Sequence, residues 1–245
     1  MINNFPFATY NNVVEEITIV QNGFDGLYMS YLYGKVRERF SFLPSVCNIR
    51  SNGDSTAIEF KTERAYCPYV RKFTEEHIAD VIAVGYKYEF FEKRLRLPLL
   101  SPLKKRLLYT ALVAADYKED KAFVKRRIRG FESYCLDGLF HFRLQDLKRR
   151  WEEVADYVPT DMGDASLENF LCFLTEDGEG KLYVRNGKVY DEEYHPLSKS
   201  LLTGVESPIG EIVIGGAEKV YCFGEVDEKT AEFLKKYYGE KAVFC

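Results

Sequence analysis

The sequence predicts an α+β fold, with a helical middle region flanked by small antiparallel or mixed sheet elements. Three observations predict it. Short β-branched or alternating runs lie near both ends, apolar residues recur at helical spacing through the middle, and Asn-Gly pairs separate strand-like segments. With 245 residues, 46% of them hydrophobic, the chain can bury a core without disulfide staples.

Glu16-Ile17-Thr18-Ile19-Val20 reads as a strand stopped by Asn22-Gly23. Residues 27–40 read as a helix, with Pro44 beyond its end. The runs 46–49 and 57–60 alternate around Asn52-Gly53, the signature of a hairpin. Val70, Phe73, Ile78, Val81, Ile82 and Tyr86 then recur at near-helical spacing up to an interruption at Pro98. Ser101-Pro102 restarts a helix as N-cap plus first-turn proline, and Leu103, Leu107, Leu108, Ala111, Leu112 and Ala115 line one face. A further helix over 118–129 ends at Gly130.

The clearest helical pattern runs over 139–158, where Phe140, Leu144, Leu147, Trp151, Val154, Ala155 and Val158 follow the i, i+3, i+4, i+7 rule before Pro159. After it come a short helix over 167–174 and a hairpin, 181–184 with 188–190, around Asn186-Gly187. The remaining expectations are strands at 211–214 and 220–223, a helix over 227–238, and a closing strand at 242–244. No linker divides the chain, so residues 1–245 read as one continuous unit. Its parts are a mixed segment (1–68), a helical basic segment (69–159) and an acidic α/β segment (160–245).

Met1-Ile2-Asn3-Asn4-Phe5-Pro6-Phe7 has neither the basic region nor the apolar run of a signal peptide. Apolar stretches such as 111–115 fall far short of the ~20 residues a membrane helix needs, so the expectation is a soluble, cytoplasmic chain. Cys47, Cys67, Cys135, Cys172, Cys222 and Cys245 lack C-x-x-C spacing and are expected as reduced, mostly buried thiols, with Cys245 exposed.

Catalytic and cofactor signatures are missing from the sequence. His77, His141 and His195 fit no metal spacing, and the ordinary reading of His77, after Glu75-Glu76, is an exposed or cap-adjacent residue. The segment Gly224 to Thr230 resembles a phosphate loop but lacks its second glycine and carries Glu225, Asp227 and Glu228, which suit a helix N-terminus instead. Neither G-x-S-x-G nor G-x-G-x-x-G occurs. No catalytic residue, metal or cofactor is assigned, and the chain reads as a non-enzyme unless a site assembles only in three dimensions.

Charge is the one candidate feature. Residues 92–150 carry 16 Lys and Arg against 7 Asp and Glu, whereas 151–245 carry 9 against 20. Lys118, Lys121, Lys125 and Arg129 fall on one helical face, and Lys104, Lys105, Arg106, Arg126, Lys148, Arg149 and Arg150 extend the basic surface. Such an array can neutralise nucleic-acid phosphates, but it can equally be a solvated face or dock on the acidic segment.

Gly138-Leu139-Phe140-His141-Phe142-Arg143-Leu144-Gln145-Asp146-Leu147 resembles a segment of the YtxC-like sporulation proteins of endospore-forming Firmicutes, in which an F-R-L-x-D-[YL] helix recurs. The order of features after it is similar, and Ile78-Ala79-Asp80-Val81-Ile82 resembles the helix that opens the family's shared part. The segment Asp161-Met162-Gly163-Asp164 departs from the longer acidic helix of that pattern. Arg143 and Asp146, one turn apart, are expected to pair on the surface. The resemblance implies a role in endospore formation and supplies no reaction or cofactor. The expected function is a non-enzymatic interaction or regulatory protein with a protein partner, the alternative a nucleic-acid binder using the basic surface of 104–150.

Overall fold

The computed structural model of the chain describes residues 14–23, 26–204 and 207–245. The Met1 to Phe7 segment read above lies outside them. The α+β expectation holds. Among the described residues, eight strands, β1 (Val14–Asn22), β2 (Ser45–Ser51), β3 (Ser55–Glu63), β4 (Ser133–Cys135), β5 (Lys181–Arg185), β6 (Lys188–Tyr190), β7 (Lys219–Phe223) and β8 (Ala242–Phe244), form two four-stranded sheets. The main helices are α1 (Leu27–Phe40), α2 (Cys67–Asp80), α3 (Lys87–Arg94), α4 (Pro102–Ala115), α5 (Tyr117–Ile128), α6 (Gln145–Tyr157), α7 (Asp164–Glu176), α8 (Pro208–Gly215) and α9 (Glu228–Tyr237). A π-helical segment, Val81–Tyr86, joins α2 to α3. No helix among the described residues is long and apolar enough to cross a membrane.

The chain divides into two compact units, 1–78 with 128–141, and 79–127 with 142–245. The crossings fall inside α2, inside α5 and inside a π turn (Leu139–Arg143), not in linkers, so composition carries no mark of them.

The first unit is built on a sheet of order β2-β3-β1-β4. The predicted hairpin pairs β2 with β3, and β1 lies antiparallel on β3 with Ile17 opposite Phe60 and Ile19 opposite Ile58. Period-two alternation puts these four on one buried face. Phe40 of α1 closes over it, 5.8 Å from Phe60 and 5.1 Å from Phe73 between ring centroids. The buried Glu75 carboxylate is satisfied by the Tyr134 hydroxyl at 2.9 Å and the Gly130 amide at 2.7 Å. His77 is half-buried, not exposed. Its ring meets Tyr31 and Phe73 edge-on, with Nδ1 3.3 Å from the Tyr31 hydroxyl.

In the second unit, one sequence expectation is overturned. Residues 211–214 are not a strand but lie in α8. The Ser207 hydroxyl accepts from the Gly210 amide at 3.3 Å, Pro208 takes the first turn, and Gly216 ends the helix at φ +56°. The apolar run Ile212-Val213-Ile214 is buried because α8 packs against α4, β5, β6 and the 3-10 turn Lys199–Thr203. A short apolar run cannot distinguish a buried strand from a buried helix. Topology requires the helix, since β5 and β7 are parallel neighbours and a parallel pair needs a crossover.

Smaller corrections have local causes. The 139–158 helix is broken at Leu144 (φ −114°), leaving a π turn before α6. Arg129 lies beyond α5, which stops at Ile128 before Gly130 turns left-handed at φ +80°. The six cysteines are free, but only Cys67 and Cys222 are buried; Cys135 is exposed along with Cys245.

The second sheet, β6-β5-β7-β8, begins with the Asn186-Gly187 hairpin, whose residues at φ +51° and +72° suit a type I′ turn. From β5 the chain crosses through α8 to β7, and from β7 through α9 to β8, both times to a parallel neighbour on the same side. Right-handed crossovers that step in one direction lay their helices on one face of a sheet. Leu182, Val184, Val189, Val220 and Cys222 accordingly face inward, and the alternate residues face out.

Candidate functional site

Within the second unit, charged and aromatic groups gather in the interior beside the π-helical segment and on the outer face of the sheet. In the interior, Asp80 and Lys87 bracket Val81–Tyr86, and both are buried. Helix α5 answers each with the opposite sign. Lys121 Nζ lies 2.8 Å from Asp80 Oδ1, which also accepts the Tyr117 hydroxyl. Lys87 Nζ lies 2.8 Å from Asp120 Oδ2 and 3.4 Å from Asp116 Oδ2. Asp120 further accepts the Trp151 indole N–H at 2.8 Å and lies 3.5 Å from the Arg150 guanidinium.

Two more groups border this network. Lys199 places Nζ 4.8 Å from the Tyr117 ring centroid. Burial pulls its pKa down, while the nearby Asp80 and Glu211 carboxylates act the other way. Glu211 Oε1 accepts the Ser200 amide at 2.6 Å, but the buried Oε2 has no partner among the described residues. Burial pushes this carboxyl above the ordinary range. Apart from that oxygen and the buried Arg150 Nη2, which makes no hydrogen bond among the described residues, the polar groups of this network are answered from within the chain, which suits a structural network whose members hold one another in place.

The sheet face is different. Register aligns Tyr190 with Tyr183, Tyr183 with Tyr221, and Tyr221 with Val243, so three tyrosines and a valine form one row across all four strands. On one side of the row stand Lys181 and Lys219; on the other stand Arg185, Lys188 and Phe223. The four cations are exposed, and no carboxylate lies within salt-bridge distance of any of them among the described residues. Tyr194 stacks on Tyr183 at 4.5 Å between centroids and an interplanar angle of 14°. Tyr221 lies 5.7 Å and Phe223 6.2 Å from the Tyr183 ring.

Tyr194 reaches this position at φ +61°, a conformation that is uncommon for a bulky residue. The Asp191 side chain holds the turn, its Oδ1 accepting the amides of Glu193 at 3.1 Å and His195 at 2.8 Å. Ligand atoms of Asp191, Glu193 and His195 lie within 4.8 Å of one another, as a cation site would require. The amide bonds to Asp191 account for that gathering as a turn, and exposed acidic groups alone do not make a metal centre.

Among the described residues, at least five of the eleven basic residues singled out in the sequence are engaged with carboxylates. Lys104 pairs with Asp164, Lys118 with Glu179 at 2.6 Å, Lys121 with Asp80, Arg149 with Asp146 at 3.2 Å, and Arg150 with Asp120. Asp146 also meets Arg127 at 3.1 Å. Two of these links, to Asp164 and Glu179, run to the acidic segment. Lys105, Arg106 and Lys148 lie on α4 and α6, and Lys125 and Arg126 on α5. Gly224 to Thr230 is a helix start capped by Asp227, whose Oδ1 accepts the Thr230 amide at 3.0 Å, and not a phosphate loop.

The sheet face was missed in the sequence although it leaves a signal there. Lys-apolar-Tyr occurs in three strands, as Lys181-Leu182-Tyr183, Lys188-Val189-Tyr190 and Lys219-Val220-Tyr221. Each triplet reads as ordinary strand alternation until the pairing sets the tyrosines side by side. No family model, curated protein or solved structure matches the chain.

Proposed function

We propose that this is a non-enzymatic binding protein with a regulatory role in endospore formation, and that its binding face is the outer side of the second sheet. The observation that carries the binding reading is the Tyr190–Tyr183–Tyr221 row set between cations that no carboxylate of the described residues neutralises. Parallel strands are normally covered on both faces, and a face of half-buried aromatic rings between exposed cations is suited to a ligand. The sporulation context rests on the resemblance of 138–147 to the YtxC-like proteins. The alternative of nucleic-acid binding on the helical surface has less support, because five of its eleven cations are engaged with carboxylates.

The test is a photo-cross-linking side chain at position 221, introduced into the full chain in a spore-forming host. A defined adduct that forms during sporulation and disappears with Lys181→Gln/Arg185→Gln is the expected result. Tyr183→Ala/Tyr221→Ala should also lower the yield of heat-resistant spores at unchanged protein level. Normal spore yield together with no adduct would overturn the reading.

A further inference from the structure

We infer that the ligand of this sheet face is single-stranded RNA, with bases stacked on the tyrosine row and phosphates lying along the two flanking pairs of cations. The inference rests on the reading of the face as a binding surface and names its ligand class.

Three features select this chemistry. First, the rings are arranged as a platform. Tyr221 and Phe223 lie 29° and 26° from parallel to Tyr183, on strands a single sheet spacing apart, so successive flat groups can rest side by side. Base–aromatic stacking is tolerant of sequence because every base offers a π-face.

Second, the charges are placed for a backbone that passes over the row. Lys181 and Lys219 are register partners on one side, Arg185 and Lys188 on the other. Their lack of internal partners contrasts with Lys118 and Lys121, which the fold has already neutralised. A neutral or cationic aromatic ligand would leave these four charges unanswered.

Third, the face already accepts a planar ring. Tyr194 lies flat on Tyr183, held there by the Asp191 turn, so it covers that ring and, 61% exposed, offers its own ring to a base in its place. The choice of RNA over DNA follows from the ring chemistry. The Tyr183 hydroxyl is bonded to Tyr194, but those of Tyr190 and Tyr221 can exchange hydrogen bonds with a ribose 2′-hydroxyl that deoxyribose lacks. The Glu192 carboxylate, which packs against Gly180 at the start of β5, opposes binding, as do Asp191 and Glu193 of the Tyr194 turn.

The experiment is a fluorescence-anisotropy titration of the full chain with a labelled 12-nucleotide mixed-sequence RNA and the matching DNA, over a range of salt. RNA should bind saturably at low salt, with log affinity falling against log salt by a slope of roughly −3 for about four phosphate contacts. Tyr183→Ala and Tyr221→Ala should each cost on the order of tenfold. Replacing Lys181, Arg185, Lys188 and Lys219 by Gln should flatten the slope, and Glu192→Gln should tighten binding.

Tyr190→Phe/Tyr221→Phe keeps the stacking surface, and should bring the RNA affinity down to that for DNA. Lys181, Arg185, Lys188, Glu192 and Lys219 are exposed and the tyrosines half-buried, and unchanged Trp151 fluorescence checks that each variant is folded. No RNA binding at low salt, equal affinity of the unmodified chain for DNA, or displacement of the RNA by an equimolar poly-glutamate peptide would each overturn the assignment. So would binding lost on neutralising Lys125, Arg126 and Arg129 but kept in the four-site Gln variant. If RNA fails while the cross-link from position 221 and the spore phenotype persist, the binding face stands and only its ligand is wrong.

Discussion

Replacing Lys87 by Met probes the buried charge network most directly. Lys87 is fully buried and its ammonium lies 2.8 Å from Asp120, itself 1% exposed. Removing one member of a buried pair leaves the other charge uncompensated, which typically costs about 3 to 5 kcal/mol. Asp120 keeps the Trp151 N–H at 2.8 Å and the Arg150 guanidinium at 3.5 Å, so the expected loss is near the lower end, about 3 kcal/mol. Trp151 is the only tryptophan in the chain and touches the altered carboxylate, so urea unfolding followed by its fluorescence reports this core. The midpoint should fall by about 1 M or more. Lys87→Met/Asp120→Asn removes both charges while the asparagine carbonyl still accepts from Trp151. It should recover at least half of the loss. A single-variant cost under about 1 kcal/mol, or a double variant as unstable as the sum of the two singles, would refute the network as a coupled charge pair.

Glu211→Gln tests the unpartnered carboxylate by pH. Because its folded-state pKa is raised, the stability it contributes is present below the ordinary carboxylate range and lost as pH rises through the folded value. Gln should therefore stabilise the protein at pH 8, on the order of 1 kcal/mol, and the advantage should shrink towards pH 4; identical melting profiles across that range would contradict the assignment. Gly178→Ala would place a Cβ 2.4 Å from the Ala217 carbonyl oxygen, and thermal unfolding should show a loss of about 2 kcal/mol. Lys118→Ala breaks a pair whose side chains are 62% and 79% exposed, and should cost less than about 1 kcal/mol. Lys121→Ala strips the buried Asp80 of its cation and should cost roughly 3 kcal/mol in the same denaturation assay.

Elements whose boundaries are set by local chemistry were legible in the sequence. The hairpin turns at Asn52-Gly53 and Asn186-Gly187, the Ser101-Pro102 helix start and the stop at Gly130 depend on backbone preferences of the residues present. Helix α8 was misread although Ser207-Pro208 and Gly215-Gly216 mark both of its ends. Its apolar run looks the same as a strand until β5 and β7 are known to be parallel. Sequence alone could not settle the basic stripe on α5, for a related reason. Helical spacing places Lys118, Lys121 and Lys125 on a common side, but whether a lysine is solvated depends on what stands opposite, and Asp80 stands opposite Lys121.

By itself, the sequence determined the α+β class, most of the strands and helices, and the separation of basic and acidic segments, because propensity, capping and charge are properties of neighbours along the chain. Only the tertiary structure decided which charges are spent inside and which remain free. It also converted three scattered Lys-apolar-Tyr triplets into one aromatic row, since strand register and crossover direction bring together residues up to 38 positions apart in sequence. In that row half-buried tyrosines lie between four exposed cations that no carboxylate among the described residues approaches within salt-bridge distance.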